Sequence, residues 1–432
     1  MSTTAREVEP DLPVADDLAG AALAARRASR ALARISTAER RAALAAMAGH
    51  LEARARDVLA ANGEDVARAR ADEAAESAID RLVLDEQRLG TIVSALRATA
   101  ELPDPLGRTL EGRILPNGLR LERRSVPLGV LGIIFEGRPN VTVDAAGLCL
   151  MSGNAVLLRG GSNAISSNAA LVEAMHRGLD SMSLPRDLIY LVRDTSRDSV
   201  TRLLGLTGLV DAVIPRGGAG LIEHVVKNAR VPVIETGAGV CHTYVDASAD
   251  TEMAIEVVDN AKTRRVSICN ALDTLLVHAK IAPVLLPALG ALWGTKGVEI
   301  RGDARTLSLL PPGPNVRRAE DEDWGTEFLA KVAAVRVVDG LDDALDHIAR
   351  YGSGHSEAIV TRDLASARRF EDEVDAAAIY VNASTQFTDG GEYGLGAEIG
   401  ISTQKLHARG PMGLEALTTY KWLVRGDGHV RP

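Results

Sequence analysis

Cys269 lies in the segment Lys262-Thr-Arg-Arg-Val-Ser-Ile-Cys-Asn270, with the cations Lys262, Arg264 and Arg265 close before it. A thiolate, not a thiol, attacks carbonyl carbon, and nearby positive charge lowers a thiol's pKa toward neutrality. The segment therefore predicts an ionised nucleophile that alkylates quickly at neutral pH. Ser267 and Asn270 are small and polar, which leaves the sulfur accessible. Glu235 ends the apolar run 231–234. A carboxylate there can serve as general base or hold a ligand hydroxyl; it reads equally as a surface glutamate without a role. Asn140 stands in Phe135-Glu-Gly-Arg-Pro-Asn-Val-Thr142, directly after an apolar run. Its amide can donate to a developing oxyanion, and its residue type suits a helix N-cap equally well.

Other reactive residue types form no recognisable cluster. The three cysteines, Cys149, Cys241 and Cys269, include no Cys-x-x-Cys pair, and no His-Glu-x-x-His occurs, so no metal is expected. Cys149 lies among apolar residues and reads as inert core. Gly352-Ser-Gly-His-Ser-Glu357 reads as a polar turn around His355.

Composition narrows the partners. Aromatics make up only 3% of the chain, which disfavours stacking platforms for single-stranded nucleic acid. A net charge of −9 disfavours phosphate backbones and anionic lipid. The arginines near 26–27 and 40–41 have acids close by and read as solvated helix faces. The N-terminus carries early acids and no apolar core, unlike a secretory signal. The uncharged stretch 281–295 contains Pro283 and Pro287 and is shorter than the ~20 residues a span needs. No membrane partner is expected, and a cysteine set without a disulfide framework suits the cytoplasm.

The elements that must position these residues show as periodicities. Residues 1–105 are Ala-rich and helical in pattern. Residues 114–125 alternate around Asn117-Gly118, a hairpin signal. Apolar runs at 130–135, 155–158, 188–192, 211–214 and 231–234 alternate with amphipathic segments such as 162–179 and 218–228. A second series from 271 has runs at 274–277, 298–300, 334–338, 358–361 and 379–381. Such alternation predicts α/β architecture with parallel sheets, in two halves meeting near 246–252. The Gly-x-Gly-x-x-Gly dinucleotide fingerprint is absent: Gly218-Ala-Gly220 runs on to Glu223, and Gly237-Ala-Gly239 to His242. Glycine pairs of this kind ordinarily just permit a tight connection.

Taken together, several segments resemble the glutamate-5-semialdehyde dehydrogenase (γ-glutamyl phosphate reductase) branch of the aldehyde dehydrogenase superfamily. They are Leu102-Pro-Asp-Pro-Leu-Gly107, the stretches 126–145 and 152–162, Ile234-Glu-Thr-Gly-Ala-Gly239, 263–270, 338–357 and 397–413. Val266 departs from the pattern, since a proline is expected before Ser267, and this alters only the stiffness of the loop. The resemblance implies an aldehyde-dehydrogenase-like fold. Its cofactor-binding domain would span 1–112 and 127–248, and its catalytic domain 249–388. Residues 113–126 and 389–432 would form an oligomerisation hairpin and C-terminal segment, making the protein a homo-oligomer.

The resemblance further implies Cys269 as nucleophile, Glu235 as base and Asn140 as oxyanion donor, although ungapped counting back from Arg159 favours Glu136 for that last position. Arg159 and Ser162 would meet the adenosine ribose, Gly217 and Gly218 the pyrophosphate, and Glu327 the nicotinamide ribose. The small hydroxyl of Ser162 leaves room for a 2′-phosphate, which predicts NADPH over NADH. Arg138 and Arg265 are expected to hold phosphate or the substrate α-carboxylate, structural ion pairs being equally plausible for both. The implied reaction is NADPH-dependent reduction of L-glutamyl 5-phosphate through a cysteine thioester, with glutamate 5-kinase as a partner. The nearest alternative is a hydrolytic aldehyde dehydrogenase.

Overall fold

The computed structural model describes residues 17–431, so the N-terminal residues read above as no secretory signal lie outside it. The described chain divides into two compact units, the first covering 17–101, 127–213 and 227–233 and the second 102–126, 214–226 and 234–431. Among the described residues no helix is long and apolar enough to cross a membrane.

A four-stranded sheet runs in the order Ile189–Leu191, Ala155–Arg159, Val130–Phe135, Ala212–Arg216, its first three strands lying in the first unit. The first three are parallel neighbours. Val130–Phe135 and Ala155–Arg159 are buried at every position, which is why they read as unbroken apolar runs rather than alternating ones. Asp211 ties this sheet to the helix Leu18–Leu32. Its carboxylate accepts two hydrogen bonds from Arg26 (2.9 and 3.1 Å) and one from the Val130 N–H (2.8 Å). Arg26 is therefore a structural clamp rather than part of a solvated face. The helices Thr37–Ala53 and Ile165–Ser181 cross very closely at Gly178, where a Cβ would lie 2.6 Å from the Met47 backbone.

The second unit holds a seven-stranded sheet in the order Val316–Arg318, Glu299–Gly302, Val332–Val338, Leu272–His278, Cys241–Val245, Ser356–Val360, Ala378–Val381. Every neighbouring pair is parallel. Helices Thr251–Thr263, Ala282–Lys296, Leu341–Tyr351 and Leu364–Glu373 connect its strands. The two parallel sheets expected from the alternating pattern are thus present.

Cys241–Val245 corrects the expected division near 246–252. It lies between Leu272–His278 and Ser356–Val360, well inside the second sheet, although the expected cofactor-binding domain ran through 248. The sequence hides this strand because His242 and Thr243 interrupt its apolar run while being fully buried. Burial of His242 is made possible by Glu357, which accepts from both the His242 backbone N–H (2.8 Å) and Nδ1 (3.0 Å). The expected strand at 231–234 reduces to a single bridge between Val213 and Val233. Pro232 there has no N–H for a ladder.

The hairpin signalled by Asn117-Gly118 forms from Thr109–Ile114 and Arg120–Pro127, with Gly118 at φ 89° in the turn. A third strand, Thr418–Arg425, joins it. This small sheet leaves Leu110, Ile114, Tyr420, Trp422 and Val424 exposed.

Candidate active site

Cys269 sits in the loop between the helix Thr251–Thr263 and the strand Leu272–His278. The segments beside it lead into strands of the same sheet: 235–240 into Cys241–Val245, Glu327 toward Val332–Val338, and His355 directly into Ser356–Val360. In a parallel sheet this gathers the groups at the amino edge of the strands. The carboxyl edge is the usual place for a ligand crevice in open α/β sheets, so Cys269 lies at the opposite edge from the one such a sheet suggests.

Backbone contacts fix the cysteine. A Cβ on Gly239 would lie 1.5 Å from the Cys269 carbonyl oxygen, so this position admits glycine alone. The same oxygen accepts from the Cys241 thiol at 3.3 Å. Behind them, the buried Asp273 carboxylate accepts from the Phe328 N–H (3.1 Å) and, at longer range, the Cys241 N–H (3.5 Å). Glu327, next to Phe328, accepts from the Gly239 N–H at 3.1 Å. One buried acid thus joins the loop carrying Glu327 to the strand behind Cys269.

From the other side, the Gln386 amide donates to the carbonyls of Ala261 (2.9 Å) and Arg265 (3.1 Å). Asn270 donates to the carbonyls of Gln386 (3.2 Å) and Thr388 (3.0 Å), and its own carbonyl accepts from Thr385 (2.7 Å). Residues 385–388 therefore grip the cysteine loop at both ends.

Electrostatics reverse the expectation drawn from the neighbouring cations. Burial pushes the Cys269 thiol up to about 11; Arg216 opposes this, while Glu398 and Glu327 add to it. Lys262 is fully buried and spends its ammonium on the Leu272 carbonyl (2.7 Å) near Asp273 (3.8 Å). Arg264 donates to Gln386, and Arg265 is exposed. Proximity in sequence did not translate into a field at the sulfur. The thiol is neutral at pH 7, its own backbone N–H opposing the upward shift only slightly. Burial also raises Glu327 and lowers His355 to about 4, so the His355 imidazole is neutral. Cys149 is fully buried and its thiol is raised by that burial, as expected of inert core.

Glu235 forms a reciprocal pair with Gln404, whose amide donates to its carboxylate at 2.6 Å and accepts from its backbone N–H at 3.0 Å. The charges acting most on the sulfur are Arg216, Glu398 and Glu327, and Glu235 is not among them. In the first unit, Asn140 lies inside the first turn of the helix Pro139–Met151. It is not the N-cap, a position taken by Arg138 without a side-chain bond. The Asn140 amide donates to Asp144 at 3.1 Å. Glu136 is exposed just before that helix.

Arg159 is buried and donates to the carbonyls of Thr195 (2.6 Å) and Ser196 (2.8 Å) and to the Ser199 hydroxyl (3.2 Å). Its donors are spent inside the unit. Ser162 is exposed at the start of a short turn of 3₁₀ helix leading into Ile165–Ser181. In the second unit Gly217 and Gly218 precede the helix Ala219–Asn228, and a Cβ built on Gly218 would meet nothing within 4 Å. Packing does not demand glycine there.

The aldehyde dehydrogenase family model matches residues 11–295. The chain belongs to the aldehyde dehydrogenase family. It is accordingly an oxidoreductase of the class that works with a nicotinamide dinucleotide. The γ-glutamyl phosphate reductase of Carboxydothermus hydrogenoformans is 53% identical over 416 residues, covering 96% of this chain and 100% of its own. That of Thermobifida fusca is 54% identical over 407 residues, covering 94% and 97%. The crystal structure of the Thermotoga maritima γ-glutamyl phosphate reductase superposes with a TM-score of 0.93 at 45% identity, covering 96% of this chain and 100% of its own.

Within this aldehyde dehydrogenase, sequence reasoning passed over Arg216, Asp273, Gln386 and Gln404. Arg216 carried a signal, since it is the charged residue just before Gly217-Gly218. The others act through contacts that no spacing reveals. Two outcomes follow from the geometry. Replacing Gly239 with alanine displaces the Cys269 backbone, and a misplacement near 1 Å costs on the order of 100-fold in rate. The check is kcat for Gly239→Ala alongside its melting temperature, with kcat falling far more than stability. Second, iodoacetamide modification mapped to Cys269 should be slower at pH 7 than for an ordinary thiol of pKa ~8.5. The thiolate is the minor form below about 11, so the rate should climb roughly tenfold per pH unit from 7 to 9.

Proposed function

We propose that this chain reduces L-glutamyl 5-phosphate to L-glutamate 5-semialdehyde and phosphate, through a thioester on Cys269. The observation that carries the reading is the position of Cys269: a half-buried residue whose backbone is locked by Gly239 and Cys241. A locked N–H beside the nucleophile is placed to stabilise the oxyanion that forms when the sulfur attacks. Asn140, or Glu136 in its stead, is the proposed second contact. Covalent capture suits the task, because a thioester accepts hydride far more readily than a carboxylate does.

When bound, NADPH would supply the hydride for the reduction. Gly217 and Gly218 cradle the pyrophosphate, and Glu327 takes the nicotinamide ribose. Ser162 would meet the 2′-phosphate, and Arg159 would act by fixing the 195–196 segment. Glu235, oriented by Gln404, manages the thiol proton. Arg138 and Arg265 hold the charged ends of the substrate; Arg265 is exposed and has no ion-pair partner among the described residues. Residues 17–101 and 127–213 serve as the cofactor-binding part, and the seven-stranded unit as the catalytic part.

The three-stranded sheet, with Leu110, Ile114, Tyr420, Trp422 and Val424 exposed, joins copies of the chain into a homo-oligomer. Its substrate is a labile acyl phosphate that a kinase must supply, and glutamate 5-kinase is the proposed partner. All three cysteines are free, which suits a cytoplasmic site of action.

The decisive assay runs backwards: oxidation of glutamate 5-semialdehyde with NADP should require inorganic phosphate. A hydrolytic enzyme would turn over without it. Cys269→Ser should lower the rate by at least about 1000-fold with the fold unchanged, and NADH should be a much poorer partner than NADPH. Equal rates with both cofactors would count against the Ser162 assignment. For the oligomer, Trp422→Asp should lower the sedimentation coefficient to that of a smaller species; an unchanged value would remove the sheet from the interface.

A further inference from the structure

Arg216 ends the strand Ala212–Arg216, and none of the expected roles used it. Thr236 donates to the Pro215 carbonyl at 2.7 Å, which brings residues 215–216 beside 236. Gly400 covers both: a Cβ there would lie 2.5 Å from the Thr236 Cγ2 and 3.5 Å from the Arg216 Cδ. The Gly237 N–H donates to the Ile401 carbonyl at 3.2 Å, closing the strap over them. From Thr236 the chain needs only three steps to reach Gly239, which abuts the Cys269 carbonyl. Three residues span at most about 10 Å. The Arg216 stem therefore lies against the same short segment, 236–239, that abuts the Cys269 backbone.

The guanidinium is half-buried, and among the described residues it has neither an ion pair nor a hydrogen-bond partner. A partly desolvated cation with no carboxylate in contact is costly to hold, and a fork of donors matches phosphate oxygens in geometry. We infer that Arg216 is the seat of the phosphate group, gripping the acyl phosphate as it binds and the inorganic phosphate as it leaves. The inference rests on the acyl-phosphate reading above and adds the residue that recognises the phosphate. Its charge is felt by three groups of the site: it opposes the upward shift of Cys269, favours ionised Glu327, and disfavours protonated His355.

The step balances without any redox change. The sulfur's electron pair forms the C–S bond, and the acyl C–O bond to phosphate breaks with its pair staying on the phosphate oxygen. The thiol proton leaves with it, so thiol and acyl phosphate become thioester and hydrogen phosphate. A cation at the leaving group stabilises the charge that accumulates there. A neutral resting thiol is compatible with this, because its proton is needed by the departing anion.

The test is the phosphate dependence of semialdehyde oxidation in the whole enzyme. Arg216→Gln should raise KM for inorganic phosphate at least tenfold, while KM for the semialdehyde changes less than threefold. Arg216→Lys, which keeps the charge but loses the fork, should fall between the two enzymes, and it stands in should Arg216→Gln fail to fold. An unchanged phosphate KM in the folded variants overturns the assignment of Arg216. Oxidation by the unmodified enzyme that ignores phosphate overturns the acyl-phosphate reading itself, so the two failures are told apart.

Discussion

The contact between Gly239 and the carbonyl of Cys269 is the constraint on which the site depends. A backbone oxygen occupies the space where any other residue would carry its Cβ, and the Cys241 thiol pins that oxygen from a third segment. The cysteine proposed as nucleophile is thereby placed by main chain rather than by its own flexible side chain. The remaining anchors serve the same end. Asp273 joins the Glu327 loop to the strand behind the cysteine, and residues 385–388 hold both ends of the cysteine loop. Preorganisation of this kind lowers the cost of bringing sulfur and acyl carbon together.

The electrostatic design differs from that of a cysteine ionised at rest. Lys262 is buried and committed to the Leu272 carbonyl, and burial with Glu398 and Glu327 keeps the sulfur protonated. Protonation limits unproductive reaction of the thiol with oxidants or stray electrophiles. In the proposed reaction it also couples attack by the sulfur to the departure of a group able to accept the proton, as an acyl phosphate would be.

Much of the fold was legible because buried parallel strands leave unbroken apolar runs. Val130–Phe135 and Ala155–Arg159 are buried at every position and appear as such in the sequence. Cys241–Val245 was not legible, since its buried His242 depends on Glu357, more than a hundred residues away. The hairpin was announced by Asn117-Gly118, whereas no local signal pairs its third strand, Thr418–Arg425, with it across some three hundred residues.

At the site, Cys269 could be read from its own neighbourhood, but its ionisation could not. Charge in the adjacent sequence says nothing about where a side chain points. Gly239 read as a mere turn glycine, and Arg159 as a ligand cation, until their contacts with the Cys269 carbonyl and with the Thr195 and Ser196 carbonyls were in view. The most direct measurement is intact-mass analysis, with peptide mapping, of the enzyme mixed with glutamate 5-semialdehyde and NADP in phosphate-free buffer. A glutamyl adduct on the Cys269 peptide that disappears when phosphate is added is the expected result. An adduct on another residue, or none despite turnover, would contradict a thioester at Cys269.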